Sequence, residues 1–471
     1  MCAELHRFFA PHAWLNGSWA ANVLLTVDAS GQWQSIQPQA SLAEYPDARV
    51  LSGPVLPGLV NAHSHAFQRA IAGLTERTGD SANGDDFWSW RDRMYRAARR
   101  ITPEQLEAIA SFLYAELLSA GYTQVCEFHY LHQAADGQAQ ADPLDMSLAL
   151  VRAAQRVGIG LTLLPALYMR SGFAATGLRE DQRRFASTPG SVLRLVEALQ
   201  AQTGACTDFN VGVAIHSLRA ADGVAIQELA VEANARGLPV HIHIAEQTQE
   251  VEDCLAHTGQ RPIEWLMSNV AVDANWNLVH ATHTTPAELQ AVQRSGAAIV
   301  ICPSTEANLG DGVFDYASYA RLGGRWSVGS DSHVTRSWVE ELRLLEYSQR
   351  LTLRQRNVAA QAGACSSSAA GLFEAALAAG PQASAQPLGG LEVGQRADFL
   401  VLDAQSPALL GVPAEQVLDA LVFSSPAARF SSVFVAGQQR VAEGVISCDA
   451  ASDAWPPISQ GFARVMAQLW G

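Results

Sequence analysis

Two histidines, His63 and His65, stand one residue apart in "PGLVNAHSHAFQRA", directly after an apolar run. At the end of a β-strand, residues i and i+2 project to the same side, so this spacing presents two imidazoles to one divalent ion. A single such pair is more often core or surface filler. Here the pattern recurs: "HIHIAE" carries His241 and His243, "LVHATH" carries His280 and His283, and "GSDSH" pairs Asp331 with His333. Imidazoles and a carboxylate thus fall at four predicted strand ends, which points to a bound metal.

Such a site needs a fold that gathers strand ends. From Val55 to about Leu351, apolar runs alternate with longer amphipathic segments, the pattern of repeated βα units. The strand candidates are "VLPGLVNAH", "TQVCEFHY", "GLTLLPALY", "FNVGVAIHS", "LPVHIHIAE", "NLVHATH", "GAAIVICP" and "RWSVGSDSH". Between them the spacing predicts helices over Pro103–Ala120, Asp145–Val157, Val192–Gln202, Gly223–Arg236, Thr248–His257 and Pro286–Ser295, and "VTRSWVEELRLLEYSQRL" follows the last strand. This counts out a (β/α)8 barrel, whose active sites lie at the C-terminal strand ends.

The segments before and after the barrel read as short strands and turns. Since open sheet edges are a liability, residues 1–56 and 385–449 are expected to pair into one discontinuous β domain flanking a barrel over 57–384, with 450–471 a helical tail. Two Ala-rich helical stretches are expected near Asn357–Ala378, followed by a loop, "GPQASAQPLGG".

Composition narrows the function classes. A net charge of −15 argues against a nucleic-acid partner, which needs clustered positive charge. Every basic residue is arginine, so Schiff-base chemistry, P-loop lysines and a carbamylated-lysine metal bridge are all closed to this chain. The seven cysteines form no CxxC pair, no run of 18 apolar residues occurs, and the N-terminus carries no basic start with an apolar stretch behind it. A cytoplasmic protein without membrane association is expected.

From "PGLVNAHSHAF" through "HIHIAE", "LVHATH" and "GSDSH" to "GQRADFLVLD", nearly the whole chain resembles the amidohydrolase superfamily, in its deaminase branch. The resemblance implies a distorted (β/α)8 TIM-type barrel with a small discontinuous β-sandwich built from the N- and C-terminal segments, and one divalent metal, usually Zn2+, with Fe2+ compatible with the same donors. In the branch pattern the ligands fall on His63, His65, His243 and Asp331, while Glu246 and His280 serve proton transfers along with Asp331. The lysine-free chain makes the site mononuclear. His241, deeper in its strand than His243, is read as structural, and His283 and His333 as supporting or loop residues. For Glu246 the competing reading is a carboxylate at a helix N-terminus.

Narrower resemblance lies in "HSHAFQRAIAGLTER", "DDFWSWRDRMYR", "VCEFHYLH" and "HSLRA", which look like the formimidoylglutamate deiminases, enzymes that hydrolyse N-formimino-L-glutamate to N-formyl-L-glutamate and ammonia in histidine degradation. That small molecule carries two carboxylates, for which Arg91 and Arg219 are the natural bidentate partners. Gln68, Tyr130 and His216 would add hydrogen bonds. For Arg91 the alternative is a solvated helix face. A deaminase acting on a purine, pyrimidine or triazine ring is the alternative activity, with "FWSW" as possible ring-stacking aromatics, and a catalytically inactive barrel scaffold is a remote one. Homodimers are common in the superfamily.

Overall fold

The computed structural model describes residues 5–77, 85–203, 207–361, 365–425, 430–446 and 455–471. The "TGDSANGDD" loop, read from sequence as slightly long, falls mostly outside them. Eight parallel strands pair in chain order: Leu59–Ser64, Tyr122–His129, Gly160–Leu167, Val213–Ser217, Val240–Ile244, Trp276–His280, Ala298–Ile301 and Arg325–Val328. The short strand Phe209–Val211 pairs with the third of these. Gly212 then turns the chain into the fourth strand, where a Cβ would come within 2.5 Å of the Pro239 carbonyl oxygen. The second and third strands are buried at every position, as parallel strands covered by helices require.

The barrel closes where the first strand meets the chain after the eighth. Ser64 bridges Asp331, the Asp331 N–H donates to the His63 carbonyl at 3.0 Å, and the His65 N–H donates to the Asp331 carbonyl at 3.3 Å. The seam is therefore made of the same residues that could do chemistry. The outer helices start and stop where local sequence dictates. Pro103–Ser119 opens on a Thr102/Gln105 capping box with Pro103 in its first turn, and Pro286–Ser295 opens on a Thr285/Glu288 box and ends at Gly296 with φ +81°.

A separate nine-stranded mixed sheet joins the two ends of the chain. Val55–Pro57 is its hinge strand, parallel to His6–Leu15 and antiparallel to Phe399–Leu402. Its core is aromatic: Phe399 and Phe434 stack at 4.2 Å, with Phe8 edge-on to both at 5.2 Å.

One expectation is corrected. In place of two Ala-rich stretches and a loop at "GPQAS", a single helix runs Ser368–Ser384 with Pro381 inside it. Tertiary packing overrides the proline signal here. Gly380 lets the helix approach the first barrel strand, since a Cβ there would lie 2.8 Å from Val60 Cγ2. Its terminal carbonyls, left without intrahelical partners, take donors from barrel residues: Cys126 Sγ reaches Ala383 O at 3.4 Å, Thr162 Oγ1 reaches Ser384 O at 2.9 Å, and His241 Nε2 lies 2.8 Å from Ala383 O.

The C-terminal helix Trp455–Trp470 packs on Pro103–Ser119 through stacked Phe112 and Phe462 rings 4.2 Å apart. Among the described residues, no helix is long and apolar enough to cross a membrane.

Candidate metal centre and active site

Register in the first strand slips between Asn61 and Ser64, so three of its residues span two of the second strand. This bulge re-aims the side chains at the strand end. His63 Nε2 and His65 Nε2 lie 3.1 Å apart, and His243 Nε2, from the fifth strand, lies 3.0 Å from His63 and 3.3 Å from His65. Asp331 Oδ1 completes the cluster at 3.3 Å from His63 and 3.4 Å from His65. All four side chains are buried.

These donors fit a metal ion. His65 Nδ1 is 2.9 Å from the Phe128 carbonyl and His243 Nδ1 is 2.8 Å from the His216 carbonyl, so each Nδ1 carries the proton it donates. Their Nε2 lone pairs are thereby aimed at one another. Burial lowers the pKa of His63, His65 and His243, and for His63 and His243 the neighbouring imidazoles lower it further. Three neutral nitrogens and a carboxylate at these spacings match the edges of a tetrahedral site, since ligands ~2.0–2.1 Å from an ion lie about 3.3 Å from one another.

His241 does not join them: its Nε2 is on the Ala383 carbonyl. Burial pulls this imidazole down from 6.5 to about 4. The folded protein therefore keeps it neutral while the unfolded chain protonates it, so its contribution is present above about pH 6.5 and erodes as pH falls to about 4, by up to ~3 kcal/mol. His241→Asn is expected to flatten the acid limb of urea midpoint against pH by that amount and to keep one metal per chain, whereas His243→Asn loses the metal. An unchanged limb in His241→Asn would remove the structural reading of His241.

Beside the cluster lies a second, ionic group. His280, at the end of the sixth strand, has Nε2 3.7 Å from Glu246 Oε1 and 3.8 Å from Asp331 Oδ2, and Nδ1 3.3 Å from Glu306 Oε1. Burial alone would lower the His280 pKa, but Glu246, Glu306 and Asp331 carry it up to about 10. Glu246 Oε2 accepts from Arg219 Nη2 at 3.3 Å. Burial, aided by Glu250 and Asp331 and opposed by His280 and Arg219, raises Glu246 to about 7. Glu246 does not complement the helix that starts at Thr248; Glu250 accepts the Ala245 and Glu246 N–H groups at 3.3 and 3.2 Å instead.

Left-handed backbone concentrates here: Ala245, His280, Ala281, Asp331 and His333 have φ of +51°, +71°, +50°, +44° and +65°. Such non-glycine conformations persist only where the surroundings enforce them. His333 is part of that enforcement, with Nε2 3.1 Å from the His65 carbonyl and Nδ1 3.0 Å from Ser330 Oγ. His283 donates its backbone N–H to the Ala245 carbonyl at 3.0 Å and offers its own carbonyl to Arg261.

The five expected substrate contacts share one pocket with this machinery. Gln68, Arg91, Tyr130, His216 and Arg219 line it together with His65, His243, Glu246, His280 and Asp331. Gln68 Nε2 donates to Tyr130 Oη at 3.2 Å while its buried Oε1 has no hydrogen-bond partner among the described residues. His216 packs its ring 4.4 Å from Tyr168. Helix Phe87–Ala98 covers the pocket, so Arg91 is not on a solvated face: its guanidinium lies over Trp88 at 4.5 Å and Tyr95 at 5.5 Å. Arg219 lies over Phe87 and Trp88 at 5.7 and 5.6 Å. Among the described residues the buried Nε of Arg91 has no hydrogen-bond partner, while Arg219 Nε faces Glu250 Oε2 at 3.6 Å.

Sequence reasoning missed several members. Glu127, Glu250, Glu306 and Asp311 are buried acids at or beside the strand ends, and burial, reinforced by Glu246, pushes Asp311 up to about 9. For Glu127, Glu250 and Glu306 a position near a strand end or helix start was the available signal, but isolated acids in such places usually cap helices; Asp311 follows the end of helix Pro303–Leu309.

The chain matches the amidohydrolase family over residues 55–440. It is 48% identical over 467 residues to the formimidoylglutamate deiminase of Pseudomonas aeruginosa, covering 99% of this chain and all of that protein. It is 28% identical over 408 residues to the 8-oxoguanine deaminase of the same organism, 83% of each chain. Among solved structures, an amidohydrolase from Brucella melitensis superposes with a TM-score of 0.91 at 40% identity, over 99% of this chain and all of that one. A zinc-bound adenosine deaminase from Xanthomonas campestris shares the fold, with a TM-score of 0.79 at 20% identity over 99% of each chain.

Proposed function

The chain belongs to the amidohydrolase family, and from that premise we propose that it hydrolyses N-formimino-L-glutamate to N-formyl-L-glutamate and ammonia. The observation that carries this reading is that half-buried Arg91, whose Nε has no hydrogen-bond partner among the described residues, and buried Arg219, which is ion-paired to Glu246 and Glu250, line the same pocket as the metal-ligand cluster. A substrate with two carboxylates and an amidine uses both arginines and the cluster. The aromatic rings of "FWSW" support this substrate over a flat heterocycle, because Phe87 and Trp88 lie against the two guanidinium groups.

His63, His65, His243 and Asp331 are the proposed ligands, with zinc the proposed ion. Bound there, a divalent ion lowers the pKa of a water toward ~7 and so supplies hydroxide at neutral pH. Arg91 and Arg219 hold the carboxylates, and Gln68, Tyr130 and His216 orient the amino-acid body by hydrogen bonds. Asp331 takes the proton released as the water oxygen bonds to the formimino carbon, and His280, kept protonated at neutral pH by its carboxylate neighbours, orients that oxygen by donating to it. Glu246 donates one proton to the imino nitrogen as the carbon–oxygen bond forms and, reprotonated by way of Asp331 with what the water oxygen gives up, a second as the carbon–nitrogen bond breaks. Both water hydrogens thus end on the departing ammonia, and the water oxygen becomes the formyl oxygen. A cytoplasmic homodimer is part of the same proposal.

Ammonia release from N-formimino-L-glutamate, with guanine and cytosine alongside, tests the reading. Release from the amino-acid substrate alone is expected, and release from guanine alone overturns it. Arg91→Met gives a finer test. Losing one charged hydrogen-bonding partner, worth about 2 kcal/mol, raises KM by about 30-fold, with kcat little changed because the carboxylate is bound alike in ground and transition states. An unaltered KM would take Arg91 out of substrate binding.

A further inference from the structure

Glu127 belongs to "VCEFHYLH" and has no part in the chemistry above. It is 2% exposed, on the second barrel strand, opposite Ser64 in the register just beyond the bulge. Its carboxylate accepts from Ser64 Oγ at 2.6 Å through Oε2 and from the Ala66 backbone N–H at 2.6 Å through Oε1. Those two donors flank His65. The next residue on the same strand, Phe128, offers its carbonyl to His65 Nδ1 at 2.9 Å. From the opposite side, the His65 N–H donates to the Asp331 carbonyl and the His65 carbonyl meets His333 Nε2 at 3.1 Å.

We propose that Glu127 is a positioning residue for the metal centre: by holding the Ser64 hydroxyl and the Ala66 backbone N–H, one on either side of His65, it fixes the bulge that aims His65 Nε2 at His63 and His243. A bulge leaves one residue without a cross-strand partner and weakens the ladder locally. Ser64 and Ala66 would otherwise be free to relax toward regular register, which turns alternate side chains to opposite faces. The side chain replaces the missing cross-strand bonds with two short ones of 2.6 Å each. It acts on the ion only through His65, so it governs how long the ion stays rather than the bond-making steps. The inference rests on the metal-ligand assignment and is independent of the substrate.

The experiment is metal release to an excess of chelator, followed with a chromogenic indicator, in the zinc-loaded protein and in Glu127→Ala, Glu127→Gln and Glu346→Ala. Glu127→Ala is expected to release zinc at least tenfold faster, in the range found when partners of metal ligands are removed. Glu127→Gln keeps an oxygen for Ala66 N–H and places an amide against Ser64 Oγ, whose hydroxyl can turn to accept, so its rate stays within about threefold of the parent. Glu346, another buried carboxylate, accepts the Val358 and Ala359 N–H groups at 2.8 and 3.0 Å away from the cluster. Glu346→Ala therefore tests general destabilisation and should release zinc at the parental rate.

Parental release from Glu127→Ala overturns the proposal, as does equal acceleration by Glu346→Ala. Should Glu127→Ala fail to fold, Ser64→Ala removes one arm of the grip. Release about threefold faster with an unchanged apoprotein melting temperature then supports the inference, and a parental rate overturns it. A parent that retains no ion overturns this inference together with the ligand assignment, whereas a parent that retains zinc but is silent on N-formimino-L-glutamate overturns only the proposed activity.

Discussion

Asp331→Asn is expected to lower kcat for ammonia release by about 10^4-fold, at saturating substrate and zinc. The side chain has two proposed tasks that one amide cannot perform. Its Oδ1 sits 3.3 and 3.4 Å from the Nε2 atoms of His63 and His65, and its Oδ2 sits 3.8 Å from His280 Nε2. An asparagine oxygen can still occupy the ligand position, but the amide cannot accept the proton that the attacking water must lose. Loss of a proton acceptor alone is worth about 10^2–10^4 in rate, and the weaker ligand adds to it. The φ of +44° at Asp331 favours asparagine among the alternatives, so the backbone seam with His63 and His65 should survive. Zinc content near one per chain with the rate collapsed is the expected pair of results. Activity within tenfold of the parent would exclude Asp331 from proton transfer.

The barrel was legible because its signal repeats. Each of the eight quoted runs overlaps a barrel strand to within one residue at an end, and Asp145–Val157 and Pro286–Ser295 are helices with the expected bounds. Apolar runs of strand length bounded by turn residues leave little latitude once they alternate with helical spacing. His63, His65, His243, His280 and Asp331 were legible for the same reason, since a strand end fixes where a side chain goes to within one residue. The helix through Pro381 was not legible. Its continuation depends on Cys126, Thr162 and His241, 142 to 257 residues away in sequence, supplying donors to its last carbonyls. Arg91 was read as a substrate partner, but a solvated helix face stayed open as its alternative, because a covering helix and a solvated one share the same amphipathic pattern until the pocket beneath is known. Glu127 illustrates a further limit. A lone carboxylate within a buried strand reads as an anomaly, and only the slipped register of the neighbouring strand reveals the two donors it serves.

Glu246→Gln is the second large effect, an expected loss of about 10^3-fold in kcat with KM within about threefold of the parent. Glutamine preserves shape and can still accept from Arg219 Nη2, 3.3 Å from Oε2, so the substrate's carboxylate partner stays in place. What it cannot do is give a proton to the imino nitrogen, and without that proton the departing group is an amide anion. The pH dependence follows from the same carboxyl. Burial lifts Glu246 to about 7, so the proton-donating form predominates below that value and is lost above it. The parent's kcat/KM should therefore fall as pH rises through about 7, toward tenfold per unit, while the residual rate of Glu246→Gln, which has no such group to lose, shows no fall there. A mutant retaining the parental decline would assign the titration to another group, with His280, raised to about 10 by its carboxylate neighbours, placed too high to produce it. The predicted fall in rate above about pH 7 is then a consequence of where the fifth strand ends. It leaves one carboxylate buried between an arginine and an imidazole, close enough to both to stay near the metal cluster and desolvated enough to hold its proton.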